Sequence, residues 1–298
     1  MKYDFYREFE EKNYAPREHI YELRKQYLPF TNILRDIYAE SKVFDLGCGR
    51  GEWLELMVES DFKAFGVDLN EGMLADCIER ELSVKEGDGV EFLTNLPSMS
   101  HSVISAFHVV EHLPFDDLLK FISEAERVLL PGGLLILETP NPENIIVGTN
   151  NFYFDPTHIK PIPSALLSFL CEHNGFIRNK IMGLNHLKNF DESTPIELYD
   201  VLSGVSPDYA IVAQKKASSE ILSQFDSQFS LKYGVTLQDI SKLYSKRCKK
   251  ISYELDTLKQ QLDYLNQKVD EIYNSRSWKV TKPLRGLSML LRKVRGNR

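Results

Sequence analysis

Long apolar runs are missing from this chain of 298 residues. No stretch approaches the roughly 18 consecutive apolar residues of a transmembrane helix. The first residues, MKYDFYREFEEKNY, lack an apolar core, so no secretory signal is expected. Cysteine is scarce: Cys48, Cys77, Cys171 and Cys248 stand far apart, without C-x-x-C spacing. They read as free thiols of a reducing, cytoplasmic compartment. Acid is absent from one stretch. Arg276 to Arg298 holds eight Lys or Arg and no Asp or Glu, so the formal charge of −7 divides into a +8 tail and a −15 body. An acidic body argues against a nucleic-acid-binding core, and the basic tail points to an anionic surface. Composition is otherwise that of a soluble globular protein. The length allows one α/β domain of about 200 residues with something smaller beside it.

What is present centres on Val43–Trp53, VFDLGCGRGEW. An apolar run leads into Asp45, then Gly47, Gly49 and Gly51 on alternate positions, then apolar residues at helical spacing from Trp53 to Val58. This is a strand, a glycine turn and a helix start, where backbone N–H groups and a helix N-terminus can approach a ligand closely. The dinucleotide fingerprint G-x-G-x-x-G would need its third glycine at the position held by Glu52, which disfavours a nicotinamide oxidoreductase.

From 41 to 139 strand and helix patterns alternate, which argues for a parallel sheet covered on both faces. Strands are expected at Lys42–Leu46, Ala64–Asp68, Leu82–Glu86, Val103–Val109 and Leu134–Thr139. Helices are expected at Glu52–Glu59, Glu71–Glu81, Gly89–Asn95 and Phe115–Leu130, the last ended by Pro131-Gly132-Gly133. Ligands of such sheets sit at the carboxyl ends of the strands. There Asp68 has the chemistry to accept from both hydroxyls of a ribose, and Asp88 follows the third strand. Each could instead cap the helix that follows it. The fourth strand ends in HVVEH, His108–His112, formally a zinc-peptidase signature. That reading needs one continuous helix, whereas the run before it is strand-like. The segment Glu138–Pro163 is too long and too rich in Pro, Asn and aromatics for a simple connector, so it reads as functional. Its Asn141, Asn144, Tyr153 and Asp155 suit a polyhydroxyl substrate, and His158 is the first candidate for a general base. Further on, Leu166–Asn174 reads as a helix, and Phe176–Met182 and Tyr209–Gln214 as two more strands.

The D-x-G-x-G-x-G turn, followed by Asp68 and Asp88 at the next strand tips, resembles class I S-adenosylmethionine-dependent methyltransferases. The resemblance covers residues 41–215. It implies an α/β, Rossmann-like, seven-stranded, mostly parallel sheet with S-adenosyl-L-methionine as cofactor. It implies a cofactor site of Asp45, Gly47, Cys48, Gly49, Gly51, Asp68, Leu69, Asp88, Gly89 and His108. The turn's backbone would hold the methionine end, Asp45 would face the ammonium group, and Asp88 would meet the adenine amino group. Residues 1–40 would form a helical lid, from which Tyr14, Arg17 and Arg24 could reach the cofactor. Glu111 and His112, with His158, would face the substrate as catalytic residues. Similar quinone O-methyltransferases carry E-x-x-E-H here and some bind a divalent cation; with His108 in place of the first Glu, no metal is expected.

After a linker at 217–243, apolar residues from Tyr244 to Ile272 step by four and three, giving a coiled coil over 244–275 and a homo-oligomer. The tail, 276–298, sets Trp278, Leu284, Leu287, Leu291 and Val294 on one helical face and cations on the other, the pattern of a membrane-interface helix. This order of parts resembles the chain-terminating methyltransferases of bacterial O-antigen biosynthesis. It implies a saccharide or lipid-linked polysaccharide acceptor and a tail that meets the membrane surface or a membrane-bound glycosyltransferase. It also implies a location peripheral to the inner face of the membrane. A quinone-like small-molecule acceptor, or a degenerate fold acting as a membrane-tethered scaffold, are the alternatives.

Overall fold

The computed structural model describes residues 15–188, 190–191 and 194–287. Tyr14 and the tail residues Leu291 and Val294 lie outside the described residues. The chain divides into one unit ending at Ser241 and a second beginning at Lys242. The first unit opens with α1 (Arg17–Arg24), a short 3-10 turn and α2 (Leu28–Ile37). It continues through β1 (Lys42–Leu46), α3 (Glu52–Glu59), β2 (Lys63–Asp68), α4 (Glu71–Glu79), β3 (Val84–Glu86) and α5 (Gly89–Thr94). Then come β4 (His101–Phe107), α6 (Phe115–Val128), β5 (Leu129–Pro140), α7 (Ile145–Thr149), α8 (Ser164–His173) and β6 (Arg178–Leu184). The series closes with α9 (Leu198–Ser203), β7 (Asp208–Gln214), α10 (Ser219–Ser223), α11 (Asp226–Ser230) and α12 (Leu237–Asn274).

The seven strands form one sheet in the order β3-β2-β1-β4-β5-β7-β6. Its first five strands are parallel, and β7 runs antiparallel to both β5 and β6. The order reverses between β1 and β4, so a crevice opens beyond their carboxyl ends. Side chains alternate across the sheet, as a period of two requires. Phe44, Leu46, Leu135 and Leu137 join one core with Phe121 and Leu167 of the covering helices. Val43, Val103, Leu134 and Ile136 join the other with Phe30, Leu34 and Trp53.

Three expectations are corrected here. Strand β4 ends at Phe107 and not at Val109, because His108 adopts a φ of +55°, off the extended conformation, while its N–H donates to the Glu138 carbonyl. Strand β5 begins at Leu129, which pairs with His101, and runs through Pro131-Gly132-Gly133 after a register shift. The segment read as a linker is largely part of the first unit. Phe225 and Ile240 are fully buried, Phe229 packs on Phe30, and Arg178 pairs with Asp226 at 2.7 Å. Phe225, Phe229 and Tyr233 pack in the same core as Phe30, so aromatic side chains dock a stretch whose average composition is polar.

The N-terminal helices are likewise more than a lid. Tyr27, Phe30 and Leu34 have no exposed surface and form part of one sheet face. Arg17 turns to Glu55, at 2.6 Å.

Candidate active site

The carboxyl ends of β1, β2 and β4 and the first turns of α1 enclose a cavity of about 1360 Å³. Its wall includes Asp45, Gly47, Cys48, Gly49, Asp68, Leu69, Asp88, Gly89 and His108. Gly51 is set back from it, at the N-cap of α3 with a φ of +79°. The glycine turn makes room. A Cβ on Gly47 would stand 2.3 Å from Val109 Cγ2, and its φ of +70° is a region that favours glycine.

Four amides of the turn are engaged within the fold. Gly47 and Cys48 both donate to the Val67 carbonyl, Gly51 donates to the Cys48 carbonyl, and Gly49 donates to Asp68 Oδ2. The carboxylates of Asp45, Asp68 and Asp88 stand on the same wall. Asp45 is 1% exposed and accepts from Ser105 Oγ at 2.7 Å. Burial pushes its carboxyl up to about 7. Asp68 accepts from Gly49 and Asn70 amides, one per oxygen, and burial raises it too. Asn70, not Asp68, caps α4. Asp88 caps α5 through one oxygen, Oδ1. Leu69 sits at the rim 73% exposed, an apolar surface open to a flat ring.

Behind this wall lies a network that sequence reasoning largely missed. His108 stands among three carboxylates: Glu138 at 3.3 Å, Glu111 at 3.4 Å and Asp208 at 4.0 Å. Burial would depress its imidazole, but these acids raise it well above the usual value, so it is cationic. Glu138 also pairs with Arg24 at 2.7 Å and accepts from Tyr27 Oη. Burial would raise Glu138, yet Arg24 and His108 bring it down to about 2. His108, Glu111 and Arg24 carried a signal in the sequence, Arg24 as a cation on a helix over the mouth, whereas Tyr27, Glu138 and Asp208 carried none as members of a site. Replacing Arg24 strands Glu138, and breaking a buried pair in this way costs about 3 kcal/mol or more. We expect Arg24→Ala to lower the unfolding free energy by about that amount in urea melts. Pairing it with Glu138→Gln should recover part of the loss.

Next to this network, Glu111 and His112 come together with His158, which is 46 residues beyond His112 along the chain. Hydrogen bonding sets both histidines in one tautomer. His158 Nδ1 lies 2.6 Å from the Phe152 carbonyl, an acceptor only, so it carries the proton. Thr157 gives its single hydroxyl proton to Asp155 Oδ1 at 2.6 Å, so it accepts from His112 Nδ1 at 3.0 Å. In the neutral ring Nε2 is therefore the nitrogen that bears the lone pair. Burial lowers the His112 pKa, which keeps that ring neutral. Glu111 is buried; Oε2 accepts from Thr139, while Oε1 lies 3.9 Å from His158 Nε2 without a well-formed hydrogen bond. Burial would raise Glu111, but His108 lowers it, so it is ionised. One ligand atom from each of Glu111, His112 and His158 falls within 4.8 Å of the others, a spacing that could hold a metal ion, where none was expected.

The substrate residues fare differently. Asn141 spends its amide on the Ser206 carbonyl and the Glu143 N–H, and Asn144 spends its own on the Ser203 and Val205 carbonyls and the Val147 N–H. Both are buried braces of the loop and do not line the cavity. Tyr153 is 63% exposed and is not part of the wall, to which Asn151 and Phe154 contribute. Asp155 lines the cavity, although its Oδ1 is engaged with Thr157.

A profile described as "Methyltransferase domain" matches residues 17–177, more than half of the chain. The chain belongs to this family. A solved S-adenosylmethionine-dependent methyltransferase from Archaeoglobus fulgidus is 31% identical, with a TM-score of 0.61, over 71% of this chain and 100% of that one. A probable S-adenosylmethionine-dependent methyltransferase of Mycolicibacterium smegmatis is 32% identical over 50% of this chain and 56% of its own length. A ubiquinone biosynthesis O-methyltransferase of Methylococcus capsulatus is 29% identical over 35% of this chain and 45% of its own length. The chain thus spans about half the length of the curated relatives it matches. The methyltransferase domain has the seven-stranded sheet of the family, and S-adenosylmethionine is its cofactor.

Proposed function

We propose that the protein is an S-adenosylmethionine-dependent O-methyltransferase acting on a polyhydroxyl acceptor, the terminal sugar of a bacterial surface polysaccharide. The observation that carries the O-methyl reading is the pair of imidazoles on the cavity wall, His112 and His158, each with its Nδ1 hydrogen-bonded so that Nε2 is left for the acceptor. A bound cofactor supplies an electrophilic methyl group. The protein aligns the acceptor, excludes water and takes the hydroxyl proton. Asp45 would meet the cofactor's ammonium, Asp68 the ribose hydroxyls, and the free oxygen of Asp88 the adenine amino group. His158 Nε2 is the base, and the ionised Glu111 carboxylate near it stabilises the imidazolium that forms. His112 positions the acceptor hydroxyl. The sugar assignment is supported by the polar Asn151, Asp155 and Thr157 on the cavity wall and by the basic end of the chain.

Mass spectrometry of surface polysaccharide with and without the gene tests the acceptor. The deleted strain should yield chains one methylene lighter at the terminal sugar. An unchanged polysaccharide, with methyl transfer to a catechol in vitro, would favour the quinone-like acceptor that the Methylococcus relative's name suggests.

A second reading is favoured by Glu111 Oε1, which accepts no hydrogen bond, and by the ligand atoms of Glu111, His112 and His158 lying within 4.8 Å of one another. The same three donors would hold a divalent cation, which would polarise the acceptor hydroxyl in place of a base. Chelation decides between them. Turnover unaffected by a strong chelator is the outcome expected for the base reading, and loss restored by a divalent metal is the outcome of the other.

A further inference from the structure

We propose that the helix beyond Ser241 pairs with the same helix of a second copy of this chain as a parallel, in-register coiled coil. Residues 242–274 of α12 belong to the second unit, and none of them is buried. Seven large aliphatic residues between Ile251 and Ile272 keep 46–60% of their surface open. A lone helix gains nothing from such a face, since helical stability in water comes mainly from packing an amphipathic surface. At 1.5 Å per residue this stretch is about 50 Å long, ample for a coiled coil.

The spacing places Cys248, Leu255, Leu262 and Val269 at one seam position, and Tyr244, Ile251, Leu258, Leu265 and Ile272 at the other. The flanking residues then choose the occupant and its register. With two copies parallel and level, Glu254 faces the partner's Lys259 and Lys259 faces the partner's Glu254. Gln261 meets the partner's Asn266, Arg247 the partner's Ser252, and Lys268 the partner's Tyr273. No like charges meet. Sliding one copy by a heptad sets Glu254 against Asn266 or Ser252 and removes the attractive pair, so a level register is preferred. A second copy therefore fits this face in both its apolar seam and its charge pattern.

Cys248 provides the test. It is exposed while Cys48, Cys77 and Cys171 are buried. At a seam position in level, parallel copies its sulfur faces the partner's Cys248, within disulfide reach. In an antiparallel pair it would lie near the other end of the partner helix. Treatment of the full chain with diamide, which accepts the two electrons and two protons of the paired thiols, should give a disulfide-linked dimer on a non-reducing gel. Cys248→Ser should give none. Light scattering of the reduced protein should report a mass of at least two chains. The double variant Leu258→Glu, Leu262→Glu should report one chain, with its affinity for S-adenosylhomocysteine unchanged as the sign of an intact first unit. A wild-type mass of one chain, or an oligomer that Cys248 cannot cross-link, overturns the proposal. Neither result bears on the methyl-transfer reading.

Discussion

His158→Ala is expected to lose turnover by about 10²–10⁴-fold, the usual contribution of a positioned base, while binding S-adenosylhomocysteine with unchanged affinity. The split follows from the geometry. Asp45 and Asp68 sit in and next to the glycine turn at the ends of β1 and β2, whereas His158 belongs to the loop after β5 and meets Glu111 and His112 instead. Its Nδ1–H is held by the Phe152 carbonyl, and its ring packs against both Phe152 and His112, with centroids 4.5 and 4.7 Å away. Removing the ring takes away the proton acceptor and leaves the carboxylates in place. Calorimetry with S-adenosylhomocysteine and a steady-state assay with labelled methyl donor read the two quantities separately. Equal loss of both would show that His158 is part of the cofactor wall. Loss in His112→Ala with His158→Ala unaffected would transfer the role of base to His112, whose Nδ1–H is anchored through Thr157 on Asp155.

Asp45→Asn is expected to weaken cofactor binding by about 1.5–3 kcal/mol, the worth of a hydrogen bond to a charged group, or roughly 10–150-fold in Kd. The same substitution should abolish a pH dependence present in the wild type. Burial holds the Asp45 carboxyl at about 7 without ligand, against 3.8 for an ordinary aspartate. The form that meets an ammonium group is the carboxylate, so binding releases a proton whenever the group begins protonated. Affinity should therefore fall by up to about tenfold per unit as pH drops below about 7, and flatten above it. For the unliganded fold the sign is opposite. Between 3.8 and about 7 the folded chain keeps a proton that the unfolded chain has given up, so this group costs stability as pH rises through that window. Bound cofactor removes that cost. Calorimetric titrations at several pH values, with wild type and Asp45→Asn in parallel, check both statements. A flat wild-type profile between pH 5 and about 8 would mean that Asp45 is not the ammonium's partner.

Much was settled by short-range chemistry alone. The period of two in Lys42–Leu46, the glycines that follow and the helical spacing from Glu52 placed β1, the turn and α3 at their observed bounds. Repetition of that unit made the sheet parallel, and the acids at its tips pointed to a charged nucleoside. Only tertiary structure decided how individual side chains are spent. The amides of the turn, free in any local reading, are taken by Val67, Cys48 and Asp68. Asn141 and Asn144, suited to a sugar by type, brace the chain before β7. Glu138, Tyr27 and Asp208 gave no local sign of sharing one network with His108, because their meeting depends on where the turn after α1, β5 and β7 lie relative to the end of β4. Aromatic residues four apart in a polar stretch turned an expected linker into part of the first unit. Periodicity and turn chemistry act over a few residues and are written in the order of the chain. Hydrogen-bond partners are allotted by contacts between distant segments, and a lone pair becomes available for chemistry only after every nearer claim on it is known.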